Sequence, residues 1–114
     1  MSGSARLAPV SIATSQAMSA SFASAVSTWT MQDNIDYQIN VTTVDSSGNF
    51  FLQVSLDNVN WADVGACGTI AAASDNIVVE FNGCGGRYTR IRYAASTAGT
   101  GTCNILVSAK AVGA

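Results

Sequence analysis

From residue 35 to the C-terminus, apolar and polar residues repeatedly alternate with a period of two, and no stretch carries a convincing helical stripe. Successive side chains of an extended strand point to opposite faces, whereas a helix brings together residues three or four apart. A chain patterned this way must bury one face of each strand, so it is expected to be all-β. Ile35, Tyr37, Ile39 and Val41 fall on one face of a first run, with Asp36, Gln38, Asn40 and Thr42 on the other. Turn residues follow at 45–49, and then Phe50, Leu52, Val54 and Leu56 alternate with Phe51, Gln53 and Ser55. These two runs are expected to pair as an antiparallel hairpin. A second tight turn, Asp57-Asn58-Val59-Asn60, leads to Trp61, whose large ring is expected to cap one end of the core.

Ile77, Val79 and Phe81 against Val78 and Glu80 give a further strand, ended by glycine-rich residues 82–86. In the next run, Thr89, Ile91 and Tyr93 point inward if Arg90 and Arg92 face outward. Residues 98–102 form a compact turn, and residues 104–110 are expected to return beside their neighbour as a second hairpin. Residues 65–76, mostly small or polar with Ile70 as the main apolar anchor, read as a loop or a weak edge strand.

The first thirty residues are different in kind. Serine, alanine and threonine dominate, with Val10, Ile12, Met18, Phe22, Val26 and Trp29 spaced among them. Val10, Ile12 and Thr14 fit an edge strand and Met18, Ala20 and Phe22 another, although the alanines leave residues 15–27 open to a helix as well. The expected architecture is an antiparallel two-sheet β-sandwich, jelly-roll-like, of about seven to eight strands. Its 114 residues suffice for one ordinary domain. Residues 1–14 are read as an N-terminal arm or edge strand, and residues 15–114 as the sandwich.

Histidine is absent and the net charge is −2, so the usual general base, the commonest metal ligand and a strong global attraction to nucleic acid are all missing. A nucleophilic site needs its nucleophile and base within hydrogen-bond reach. A carboxylate pair could be drawn only from aspartates that mostly sit in turn sequences, where they cap backbone amides. Asp57 and Asp63 flank the Trp61 turn, but no alternating series of oxygen ligands for calcium accompanies them. Residues 82–86 lack both the lysine and the following helix of a phosphate-binding loop. The expectation is a protein that is not an enzyme, with no catalytic residues, cofactor or metal.

Cys67, Cys84 and Cys103 are odd in number and lack the spacing of zinc or redox sites. They read as free thiols acting as small hydrophobes, with a Cys67–Cys84 bridge as the alternative. No signal peptide follows Arg6, since serine, threonine and proline interrupt the apolar residues, and no apolar run approaches the roughly 20 residues that span a bilayer. Synthesis in the cytoplasm is expected, without a membrane partner.

The most suggestive surface is the outward face of the run Tyr88-Thr89-Arg90-Ile91-Arg92-Tyr93, where Tyr88, Arg90 and Arg92 share one side. It reads either as a solvated strand face or as an interface, since arginine and aromatic residues are favoured in protein contacts. Trp29 is the aromatic expected to anchor an interface. The candidate interface set is therefore Trp29, Tyr88, Arg90 and Arg92. Nucleic acid is an unlikely partner on three arginines in an acidic domain. Exposed aromatics binding a glycan, as in carbohydrate-binding sandwiches, are the alternative function.

The strand ending in Gln53-Val54-Ser55-Leu56, the turn Asp57-Asn58-Val59-Asn60-Trp61, the strand Tyr88-Thr89-Arg90-Ile91-Arg92-Tyr93 and the turn Gly99-Thr100-Gly101-Thr102 leading toward Lys110 together resemble a family of small β-sandwich virion proteins of tailed bacteriophages and prophages. The opening Leu7-Ala8-Pro9-Val10-Ser11-Ile12-Ala13 is similar to that family's first strand. The three cysteines depart from the family's pattern. The resemblance implies a non-enzymatic virion component, such as a head-decoration, fibre or connector subunit. The expected partners are further copies of the chain, in a trimer or a higher symmetric assembly, and other virion proteins. Symmetric self-association would also add burial to a domain small enough to hide only about two-thirds of its unfolded surface.

Overall fold

The computed structural model describes residues 8–29, 34–45, 48–69, 74–82, 87–95 and 99–110. Among these residues there is no helix, and the strands build two antiparallel sheets. Sheet I has the order β1-β9-β4-β7, from β1 (Val10–Ala17), β9 (Thr102–Lys110), β4 (Asn34–Thr42) and β7 (Asp75–Asn82). Sheet II has the order β2-β8-β5-β6, from β2 (Phe22–Ala23), β8 (Tyr88–Ala95), β5 (Gly48–Ser55) and β6 (Ala62–Thr69), while β3 (Ser27–Thr28) also pairs with β8. β2 and β3 are one interrupted strand: between them, Ser24 N–H donates to Ile91 O at 2.8 Å and Ser24 Oγ accepts from Ile91 N–H at 2.9 Å.

This order follows one long hairpin, bent at the β5–β6 turn and rolled up. β1 lies with β9, β2 and β3 with β8, β4 with β7, and β5 with β6. Rolling then adds the β4–β9 and β5–β8 ladders. The winding is that of a jelly roll, and the two-sheet sandwich expected from the alternation is the fold.

Two local pairings differ from expectation. β4 and β5 are not a hairpin, because β4 belongs to sheet I and β5 to sheet II; β8 and β9 likewise lie in opposite sheets. Their connections therefore join the two sheets as arches, and the described parts of these arches, residues 43–45 and 99–101, clasp each other. Asp45 N–H donates to Thr100 O, Thr100 N–H donates to Asp45 Oδ1, and Val44 turns into the core at 5% exposure. Gly101 lies against Val44 with φ +112°, and a Cβ there would come within 2.7 Å of the Val44 Cα. Of residues 65–76, expected as a loop or a weak edge strand, 65–69 belong to β6, an eight-residue edge strand of sheet II with two register shifts in its ladder, and 75–76 begin β7; residues 70–73 lie outside the described residues. The smallness of Gly65 is a packing requirement, since a Cβ on it would stand 2.8 Å from the Phe81 ring. β5 ends at Ser55, and Leu56 is 76% exposed in the turn that follows. β1 extends past residue 14 as the edge of sheet I, with register shifts on either side of Ala13, and residues 15–27 contain no helix.

The inward rows meet as a dry core. Ile35, Tyr37, Ile39 and Val41 of β4, with Cys103 and Ile105 beside them on β9, are at most 1% exposed, and Phe50, Leu52, Ile91 and Tyr93 of sheet II face them, also at most 1% exposed. Tyr93 lies between Phe22 and Phe50, with ring centroids 5.4 and 4.9 Å away. Each large apolar side chain buried so completely contributes roughly 1.5–3 kcal/mol.

Candidate functional site

The alternation in β8 sends Thr89, Ile91 and Tyr93 into the core, which leaves Tyr88, Arg90 and Arg92 on the outer face of sheet II. β5 supplies the neighbouring row. Register sets Ser55 beside Tyr88, Gln53 beside Arg90 and Phe51 beside Arg92. On the far side of β5, a register shift in the β5–β6 ladder sets Asp63 opposite Gln53.

These side chains form one connected surface. Arg90 Nε donates to Gln53 Oε1 at 2.8 Å, and Gln53 Nε2 donates to Asp63 Oδ1 at 3.0 Å. Asp63 also accepts two bonds from Arg92, Nη2 to Oδ2 at 2.9 Å and Nε to Oδ1 at 3.3 Å. Each guanidinium also stacks on an aromatic ring. The Arg90 Cζ lies 4.2 Å from the Trp61 ring centre, and the Arg92 Cζ lies 4.8 Å from that of Phe51. Arg87 stands 5.7 Å over Tyr88 at the start of the strand.

Electrostatically, the Arg92 hydrogen bonds hold the Asp63 carboxyl below its ordinary range. With side chains 32% and 42% exposed, that ion pair contributes no more than about 1 kcal/mol to stability. Among the described residues, Arg87 and Arg90 have no carboxylate partner. Hydrogen bonds and stacking therefore fix the orientation of the guanidinium planes, while the face keeps cationic groups accessible.

Of the four residues expected at an interface, Tyr88, Arg90 and Arg92 share this face, and Trp29 does not. Trp29 packs against the core from the inner side of β8, and its Nε1 donates to Thr89 Oγ1 at 2.7 Å. Trp61 lies outside the core cluster, against Arg90, and does not cap the end of the core. Gln53 and Phe51, not singled out from the sequence, complete the face together with Asp63, which the sequence marks only as a flank of the Trp61 turn. The outward placement of Phe51 and Gln53 was readable from the β5 alternation, but their neighbours, Asp63 of β6 among them, depend on register, which alternation does not encode.

Other chemistry finds little support here. One face of Trp61 is covered by a guanidinium, so that face is closed to a stacked sugar. Asp57 accepts from the backbone N–H groups of Val59 and Asn60 at 2.9 and 2.8 Å, and no cluster of three metal-ligating side chains occurs among the described residues. Cys67 and Cys103 are free, buried thiols; Cys84, the other half of the alternative bridge, lies outside the described residues, as do residues 83–86. The outer face of sheet I carries a shallow depression of about 200 Å³ bordered by Pro9, Gln38, Val78 and Leu106. In comparison with known proteins, the chain matches no family model and no curated protein.

Proposed function

We propose that this chain is a non-enzymatic structural protein of a tailed-bacteriophage particle, a head-decoration, fibre or connector subunit. In this reading it is made in the host cytoplasm, resides in the virion, and acts by contacts with copies of itself and with other virion proteins. The observation that carries it is the outer face of sheet II, where Trp61, Arg90, Gln53, Asp63, Arg92 and Phe51 interlock. Arginine and aromatic side chains dominate the energetics of protein contacts, and side chains already held in place lose little further rotamer entropy on docking. A jelly-roll winding suits the role, being common in capsid proteins, although it also serves lectins and so decides nothing alone. The resemblance of the Trp61 turn and of the β8 strand to virion proteins supports the same reading.

The test is mass spectrometry of gradient-purified particles from a lysate of the encoding phage or prophage. The chain is expected in fixed stoichiometry to the other particle proteins, and incorporation of Arg90→Ala/Arg92→Ala supplied in trans should fall. Absence of the chain from particles overturns the proposal. So does saturable quenching of tryptophan fluorescence by a member of a glycan panel in a chain that never enters particles.

A further inference from the structure

The four sheet edges of the sandwich differ in how they are protected. An unpaired edge strand is a template for another strand, and proteins blunt such edges with bulges, brevity, proline or lysine. β1 is interrupted by two register shifts and has Ser15 at φ 48°. β2 and β3 are two residues long each, and β6 again carries two register shifts. β7 has none of these devices. Its eight residues pair with β4 without interruption, from Asn34↔Asn82 to Val41↔Asp75, and include no proline, glycine or lysine.

The core is also less complete along β7. At the opposite edge of sheet I, Ile12 of β1 is 7% exposed, whereas Ile77, Val79 and Phe81, the three core-facing residues of β7, are all only half-buried. On the outer side of the same strand, Val78 is 67% exposed between exposed Asn76 and Glu80.

We propose that β7 is the docking edge for a second copy of this chain. Two β7 strands pair antiparallel about a two-fold axis at Val78, which joins two copies of sheet I into one continuous sheet. The central residues of the strand are self-complementary in this register, while Asp75 meets Phe81 toward its ends. Val78 meets Val78 of the second copy, Glu80 meets Asn76, and Ile77 meets Val79 on the core side. An axis at Glu80 would set two carboxylates face to face, and an axis at Ile77 or Val79 would lay Val78 against Asn76 or Glu80. The partner is thus a copy of the same chain, in an isologous interface. A lone strand pair is small beside the roughly 1,200–2,000 Å² of a standard interface, so the dimer is concentration-dependent in isolation and reinforced within an assembly.

This inference deepens the reading of the chain as a self-associating structural protein and rests on it. It is tested with Val78→Cys, Val64→Cys on the β6 edge and Val10→Cys on the β1 edge, all at exposed valines, with the unmodified chain setting the background of the native thiols. Under mild oxidation, Val78→Cys should give the disulfide-linked dimer about tenfold faster than either control, and Val78→Lys should raise the dimer dissociation constant by about tenfold or more in sedimentation equilibrium with an unchanged circular dichroism spectrum. If the chain still self-associates but Val78→Cys links no faster than Val64→Cys, the edge is wrong while the structural reading stands. A chain that stays monomeric up to hundreds of micromolar and is absent from particles overturns both.

Discussion

Thr89 is one residue whose role goes beyond its β-propensity. Its Oγ1 lies 2.7 Å from Trp29 Nε1 and 2.7 Å from the Tyr37 hydroxyl, and the residue is fully buried. One hydroxyl therefore ties β8 of sheet II both to β4 of sheet I and to the segment after β3. Thr89→Val keeps the shape and removes the acceptor, leaving the Trp29 N–H without its bond. An orphaned buried donor costs about 1–3 kcal/mol, so the urea midpoint should fall with an unchanged m-value, and Thr89→Ser should restore much of the loss. A change below about 0.5 kcal/mol would mean that water replaces the hydroxyl. Trp29 shows what a sequence reading can miss at this scale. An aromatic among serines and alanines reads as exposed, yet its indole N–H has a buried partner sixty residues away. Arg90 and Arg92 were legible as a same-face pair because a period of two needs only local spacing. Their bonds to Gln53 and Asp63 were not, because those depend on β5–β8 register and on a shift in β6.

At the level of elements, the strands were legible and their connections were not. Alternation assigns a face to each residue of β4, β5 and β8, and those faces are as expected for residues such as Ile39, Phe50 and Ile91. It says nothing about which strand lies alongside. Residues 43–47 and 96–101 contain the polar and small residues of hairpin turns, yet the strands on either side of each lie in opposite sheets. The informative signal was Val44, an apolar residue inside a turn with no reason to be there unless the connection itself is buried. β6 was hidden for a different reason, because packing against Phe81 demands glycine at position 65, and glycine reads as loop. The clasp between the arches makes its own prediction. Gly101→Ala adds a Cβ at φ +112° and drives it toward the Val44 backbone, so both strain and overlap act. A loss of about 2–3 kcal/mol is expected in chemical denaturation. Gly99→Ala, in the same arch where φ is not positive, should cost less than about 1 kcal/mol. Equal losses at the two positions would show that the arch yields and that the clasp does not hold the sheets together.

Across the whole molecule, the absence of histidine means that no side chain has an ordinary pKa between about 5 and 8. Stability should therefore form a plateau whose two limits come from different parts of the sandwich. Among the described residues, three aspartates are held below their ordinary range and set an acid limit. Asp57 is lowered by the Asn60 and Val59 backbone N–H groups in the turn that bends the long hairpin, Asp45 by the Thr100 N–H in the arch clasp, and Asp63 by Arg92 on the outer face. A carboxyl depressed in the folded state is protonated first in the unfolded chain, so its contribution is complete above the ordinary aspartate value of 3.8 and is lost as pH falls below it. The alkaline limit comes from the core. Burial pushes the thiols of Cys67 and Cys103 up to about 12, from an ordinary value of 9.0. Here the unfolded chain loses its protons first, so that contribution is complete below pH 9 and declines as pH rises toward 12. Urea midpoints measured from pH 2 to pH 11 should stay level between about 5 and 8 and fall on both sides. Asp57→Asn should flatten the acid limb, and the Cys67→Ala/Cys103→Ala pair should flatten the alkaline limb even if it lowers the plateau. A midpoint that drifts steadily through pH 6–8 would require a titrating group that neither the turns nor the core supply.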